Sequence, residues 1–135
     1  MKLYVMLGAL LALVGVMLGA FGAHGLKKML DTSALATFEV GVRYQMYHAL
    51  AILLVSGLTA QASLVWRERA ALFFIIGSVL FSGSIYLLVL TGQKWLGPVT
   101  PLGGLCLMLG WVALVIGVMK GADSNADIRA GSDDK

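Results

Sequence analysis

An all-α membrane protein with four transmembrane helices in one bundle is the fold class this sequence predicts. Three observations carry it. Of 135 residues, 59% are hydrophobic and only 13% charged, against roughly 45–50% apolar and about a quarter charged in soluble domains. The charges gather at the ends of long apolar runs, as they do when hydrocarbon is the solvent. Within the runs, small residues recur at helical spacing, the pattern that lets helices approach one another in lipid.

The net charge of +3 is small. No basic block interleaved with aromatics is present for a strand to lie on, so nucleic acid is not an expected partner and membrane lipid is. The single cysteine, Cys106, lies inside an apolar run, which excludes an intramolecular disulfide and any multi-cysteine metal site. It reads as a small buried hydrophobe.

Residues 3–23 are uncharged and, at about 1.5 Å of rise per residue, reach across roughly 30 Å of hydrocarbon. A cleaved signal peptide is the competing reading, since Lys2 precedes the run; its length and the three later spans favour a retained helix. Gly8, Ala12, Gly15, Gly19 and Ala23 make one face of this helix small, so it is a packing helix as well as an anchor.

The segment 25–43 is too polar to span as it stands. Asp31-Thr32-Ser33 marks a helix start, with a side chain to cap the open amides. Leu35, Phe38, Val42 and Met46 then fall on one face, and Glu39 and Arg43 stand four apart in the order that favours an ion pair. An interfacial amphipathic helix over about 33–43, preceded by Lys27 and Lys28, is expected; a solvated loop is the alternative. It is expected to run on into the second span, 44–62, with Gly41 as a bend.

Gln61, Ser63, Arg67, Glu68 and Arg69 form a short polar turn with Trp66 at interface depth, which makes the second and third spans antiparallel neighbours. The third span, 70–91, offers Ser78, Ser82 and Gly83 as a small, partly polar surface. Pro98 and Pro101 bracket the start of the fourth, 99–119, where a missing amide donor costs little. Gly103, Gly110 and Gly117 there recur every seven residues as a packing groove. Trp111 must pack in the bundle or face lipid. Residues 120–135 are polar and acidic and read as a disordered tail.

With four spans the termini share a side. Lys2, Arg67, Arg69, Lys120, Arg129 and Lys135 fall there, against Lys27, Lys28, Arg43 and Lys94 opposite. The excess leans toward cytoplasmic termini.

Four separated blocks carry a family resemblance: GAFGAHGL after the first span, RYQMYHALAI opening the second, LFSGSIYLL in the third, and TPLGG with a later GW. Over residues 7–118 and in the same order, they resemble the domain of unknown function 423 family (UPF 0382) of small bacterial inner-membrane proteins, related to transmembrane protein 256. The resemblance implies a four-helix protein of the cytoplasmic membrane and no catalytic residue or cofactor. The acidic tail departs from the family, whose members often end in basic residues.

His24 closes the first span and His48 opens the second. Antiparallel spans place both near one membrane face, which raises paired axial ligation of a b-type haem; hydrogen bonding to buried carbonyls, tyrosine or Glu39 is the plainer reading. His24, Glu39, Arg43, Tyr44 and His48 are expected to form one polar cluster under the interface. As a structural clamp it would hold the amphipathic helix through a Glu39–Arg43 pair. As a binding site it would set Arg43 with Lys27 or Lys28 on a headgroup phosphate, and His48 with Tyr44 on a quinone carbonyl. No HExxH and no Ser–His–Asp set occurs, and no metal site is expected. The leading expectation is a non-enzymatic membrane component, an accessory part of a larger membrane complex or a homo-oligomer. The alternative is a redox- or quinone-linked component.

Overall fold

A computed structural model describes the backbone of residues 1–133 and the side chains of residues 1–121. The chain is all-helical there: α1 (Lys2–His24), α2 (Thr32–Gly57), α3 (Leu64–Thr91) and α4 (Val99–Asp133), with short 3-10 turns at Leu26–Lys28 and Lys94–Leu96. Local chemistry sets the boundaries. Asp31 accepts a 2.7 Å hydrogen bond from the Ala34 amide and opens α2. Gly92, at φ 70°, closes α3 in the left-handed conformation with its amide on the Leu88 carbonyl.

Among the described residues, three stretches are long and apolar enough to cross a membrane: Lys2–Lys28, Leu64–Thr91 and Lys94–Gly121. α2 is the exception, because Glu39, Arg43, Gln45 and His48 crowd its first two-thirds. The helix expected over 33–43 runs on into the second apolar stretch, and among the described residues no distinct interfacial helix precedes it. Those residues are the opening turns of α2, which continues through Gly41 without a break. The second apolar stretch ends at Gly57, short of residue 62. Arg67, Glu68 and Arg69 belong to α3 rather than to the turn. α4 carries helix beyond residue 119, through Asp133, where the sequence suggested a tail; Asp134 and Lys135 lie outside the described residues.

Close backbone packing joins consecutive helices, with a lesser approach of α1 to α3. The result is a row, with α1 and α4 on the flanks. The buried core runs through α2, α3 and α4, around Ile52, Val55, Ala70, Ala71, Phe74 and Leu107. Its interior is small and its exterior large: glycine, alanine and serine line the contacts, while Leu10, Leu13, Leu54, Leu72, Val79, Leu105 and Val115 face outward. That is the reverse of a soluble protein, in which a continuous exposed apolar surface of this extent does not occur.

Glycines set how near the helices come. Gly15 lies against Gln45 and Met46, and Gly19 against Val42. Gly103 rests on the Phe81 backbone, Gly110 on the Phe74 ring and Gly117 on Trp66 Cβ. Gly83 does not join them: a Cβ there meets nothing within 4 Å. Gly41, Gly77 and Gly121 make comparably tight contacts that sequence spacing did not single out. Gly103→Val should therefore lower stability in detergent by about 1–3 kcal/mol through overpacking. Gly83→Ala should hold it, or raise it by up to about 1 kcal/mol through helix propensity. Thermal unfolding of the two variants side by side checks the contrast.

Candidate functional site

The expected five-residue cluster does not assemble. Contacts of Gly8 with Ile52, Gly15 with Gln45 and Gly22 with Phe38 set the antiparallel register of α1 and α2. His24 is thereby level with about Ala36, and from there to His48 α2 climbs about 18 Å at the usual helical rise. The two histidines are not level with each other. His24 is exposed and His48 buried, so they cannot bracket one macrocycle in this arrangement. The reason lies in the helix start at Thr32, which puts His48 more than four turns into α2.

Glu39 and Arg43 are also apart from His48. Both are exposed and line a shallow cavity of about 240 Å³ between α1 and α2, beside Gly19, Gly22 and Phe38. Among the described residues no ion pair joins them; the pair present is the N-terminal ammonium with Glu68, at 4.0 Å. The clamp expected from their spacing is thus absent in that form, because helical spacing permits a pair without requiring it. Lys27 and Lys28 stand exposed on the first 3-10 turn.

Three other arrangements hold the polar side chains of the interior. In the first, Gln45 Nε2 donates to the Leu11 carbonyl of α1 at 2.8 Å, and the Tyr86 hydroxyl of α3 donates to Gln45 Oε1 at 2.7 Å. Ser82 Oγ donates to the Gly41 carbonyl at 2.6 Å, and Phe38 stacks at a tilt on Tyr86. This ladder ties α1, α2 and α3 together. The second links α3 to α4 through a 2.6 Å Ser84–Thr100 hydroxyl contact.

The third is centred on His48. Its Nδ1 lies 2.7 Å from the Tyr44 carbonyl, and Trp111 Nε1 donates to its Nε2 at 3.2 Å. A carbonyl only accepts and an indole N–H only donates. The imidazole is therefore the neutral Nδ1–H tautomer with both nitrogens engaged. Phe74 packs on both the imidazole and the indole. Beside it Tyr44, Phe81, Gly104, Met108 and Trp111 enclose an open cleft of about 370 Å³ between α2, α3 and α4, apolar apart from the imidazole and the tyrosine.

Sequence reasoning missed Gln45, Tyr86 and Trp111 as polar partners, and missed Arg67 as a buried residue. Arg67 was legible in part: with Ala70, Ala71, Phe74, Gly77 and Ser78 it shares one helical stripe. Among the described residues, Arg67 Nε and Ser78 Oγ are the buried side-chain polar atoms without a partner.

Comparison with known proteins places this architecture in context. A family model described as "Protein of unknown function (DUF423)" matches residues 18–104. The chain is 43% identical over 120 residues to a UPF0382 membrane protein of Staphylococcus aureus (strain bovine RF122), spanning 89% of this chain and 98% of that one. It is 41% identical over 121 residues to the UPF0382 membrane protein YwdK of Bacillus subtilis (strain 168), again spanning 89% and 98%. No solved structure matches the chain.

The Leu11–Gln45–Tyr86 ladder predicts coupled energetics. Tyr86→Phe and Gln45→Leu should each destabilise the protein in detergent. In a double-mutant cycle their effects should fall short of additivity by about 0.6–2 kcal/mol, the range for interhelical hydrogen bonds in membranes. Equilibrium unfolding of the four proteins measures it.

Proposed function

The chain belongs to the DUF423 family of membrane proteins, and we propose that it is a non-enzymatic component of the bacterial cytoplasmic membrane that works by holding lipid chains and contacting other membrane proteins. The reading treats α2 as a fourth span. Register supports it: residues 3–23 of α1 lie level with about 37–57 of α2, and the contacts of Gly41, Gly103 and Gly110 carry that height into α3 and α4. A helix alongside two others that cross the bilayer occupies the same depth. Its middle is polar because Gln45 and His48 serve its neighbours, while Arg43, outside, reaches toward the headgroups. In this reading the amphipathic character of 33–43 belongs to the end of a span.

The observation that carries the function is the cleft beside His48. It opens sideways at mid-bilayer height, it is walled by Tyr44, Phe81, Met108 and Trp111, and the imidazole in it is already satisfied on both nitrogens. Such a site offers an acyl chain apolar contact and offers a substrate no free base. The accessory role follows from the flanks: α1 and α4 each have one close neighbour and a broad outward apolar face, open to lipid or to a further membrane protein.

Gly104→Leu tests the cleft. Its Cβ would make only ordinary contact with the Phe81 ring, 3.8 Å away, so the longer side chain fills the cleft without breaking the α3–α4 contact. Protein washed in mild detergent and analysed by native mass spectrometry should retain a bound lipid, and the variant should lose it with its thermal midpoint unchanged. Equal retention by both would refute the reading.

Orientation has its own test. We place both termini in the cytoplasm, which the Lys2, Arg67, Arg69 and Lys120 charges at that end support. In a Cys106→Ala background, an impermeant maleimide added to spheroplasts should label Lys27→Cys and spare Lys2→Cys. The reverse pattern would invert the topology.

A further inference from the structure

At the opposite end of the row from His24, residues of the α2–α3 turn, the first turns of α3 and Lys120-Gly121 of α4 enclose a polar cavity of about 280 Å³. Arg67 lines it and is only 5% exposed. One guanidinium nitrogen, Nη1, donates to the Ser56 carbonyl at 3.1 Å, while Nε is buried with no partner. Among the described residues no carboxylate pairs with it: the neighbouring Glu68 is engaged by the N-terminal ammonium. A buried guanidinium without a counter-charge is expensive, by several kcal/mol per ion even after relaxation. Among the described residues the Ser56 carbonyl is the acceptor that offsets part of that cost, and no counter-charge offsets the rest.

Apart from Arg67 and Lys120 the lining is neutral, and what it adds is a helix start. α3 is a helix of 28 residues whose N-cap, Ser63, makes no side-chain capping bond with the amides of the first turn, at the positive end of the helix. Lys120, exposed on α4, adds a second cation. The aromatic neighbour Trp66 engages Arg69, whose guanidinium lies 4.6 Å from its ring, and not Arg67. Depth completes the picture. Arg67 donates to Ser56 at the end of α2, and Gly117 meets Trp66, which puts the cavity where the apolar stretches of α3 and α4 give way to charge.

We propose that this cavity binds a phosphate group, held by Arg67, Lys120 and the first amides of α3. Arginine with a helix N-terminus is a strong arrangement for phosphate oxygens, and among the described residues the buried Nε is a donor without an acceptor. Two sources share that chemistry: the headgroup of an anionic phospholipid and a soluble phosphate. The site lies apart from the acyl-chain cleft, so filling the cleft with Gly104→Leu leaves it intact and the two readings fail independently.

The test uses the full chain in a neutral detergent and follows its thermal midpoint. Two titrations are run, one with phosphatidylglycerol in mixed micelles and one with inorganic phosphate; phosphatidylcholine is the zwitterionic control. A saturable rise with phosphatidylglycerol alone identifies a headgroup, and a rise with inorganic phosphate identifies a soluble ligand; either supports the site if Arg67→Gln removes it. Lys120→Gln, at an exposed position, should keep the fold and require about fivefold more ligand, the effect of one interfacial cation. If Arg67→Gln does not fold, the Lys120→Gln shift decides. No rise with either ligand, or a rise that both variants keep, overturns the proposal.

Discussion

The contact on which the row of helices depends is the 2.6 Å hydrogen bond from Ser82 to the Gly41 carbonyl. It forms because Gly41 has no side chain: a Cβ there would lie 2.9 Å from the Tyr86 ring and 3.0 Å from Ile85. α3 therefore approaches close enough for a short hydroxyl to reach a main-chain oxygen of α2. That approach also brings Tyr86 within reach of Gln45, and Gln45 in turn holds α1 by the Leu11 carbonyl. In hydrocarbon no hydrophobic force pairs helices, so cohesion must come from dispersion at close range and from polar groups with nowhere else to turn. One missing methyl group here permits both.

The same logic explains the inverted distribution of size. Phe74, Ile52 and Val55 are buried, yet most interior contacts are made by glycine, alanine and serine, while leucine, valine and methionine face outward. Large side chains outside cost nothing where lipid tails surround them. Small ones inside convert directly into shorter interaxial distances, most visibly where Gly103 rests on the Phe81 backbone and Gly110 on the Phe74 ring. α3 meets neighbours on both sides and, among the described residues, carries the most buried polar groups of any helix, Arg67, Ser78, Ser82 and Ser84.

Much of this was legible. Composition and charge placement identified the apolar stretches, Asp31 announced the start of α2, and the seven-residue glycine spacing anticipated the face of α4 that meets α3. The candidate site was mostly illegible, and the reason is physical. Periodicity tells which residues share a face of one helix; it does not tell which residue of the next helix stands opposite. That depends on register, and register here follows from where individual glycines admit a neighbour. Reading His48 as the start of a span set it at the membrane surface, whereas Gly8 on Ile52 and Gly15 on Gln45 draw it level with the middle of α1. Glu39 and Arg43 had the spacing of a pair, but an exposed pair gains so little that nothing compels it. Gly83 had the composition of a packing residue and faces open space. Arg67 was assigned to a turn because a charge run usually marks one, although its helical phase already matched Ala70, Ala71 and Phe74.

The polarity of α2 then has a consistent cause. A helix at the edge of the row can be apolar all round, as α1 nearly is, because only one side needs a partner. α2 has α1 on one side and α3 on the other, and its buried residues serve both: Gln45 and Phe38 each reach both, Gly41 meets α3, and His48 extends past α3 to Trp111 of α4. Each polar group adds a directional constraint that dispersion alone cannot supply, at the cost of hydropathy. The hydropathy of α2 is low because its chemistry is spent on its neighbours, and for the same reason its removal would leave α1 only its lesser approach to α3.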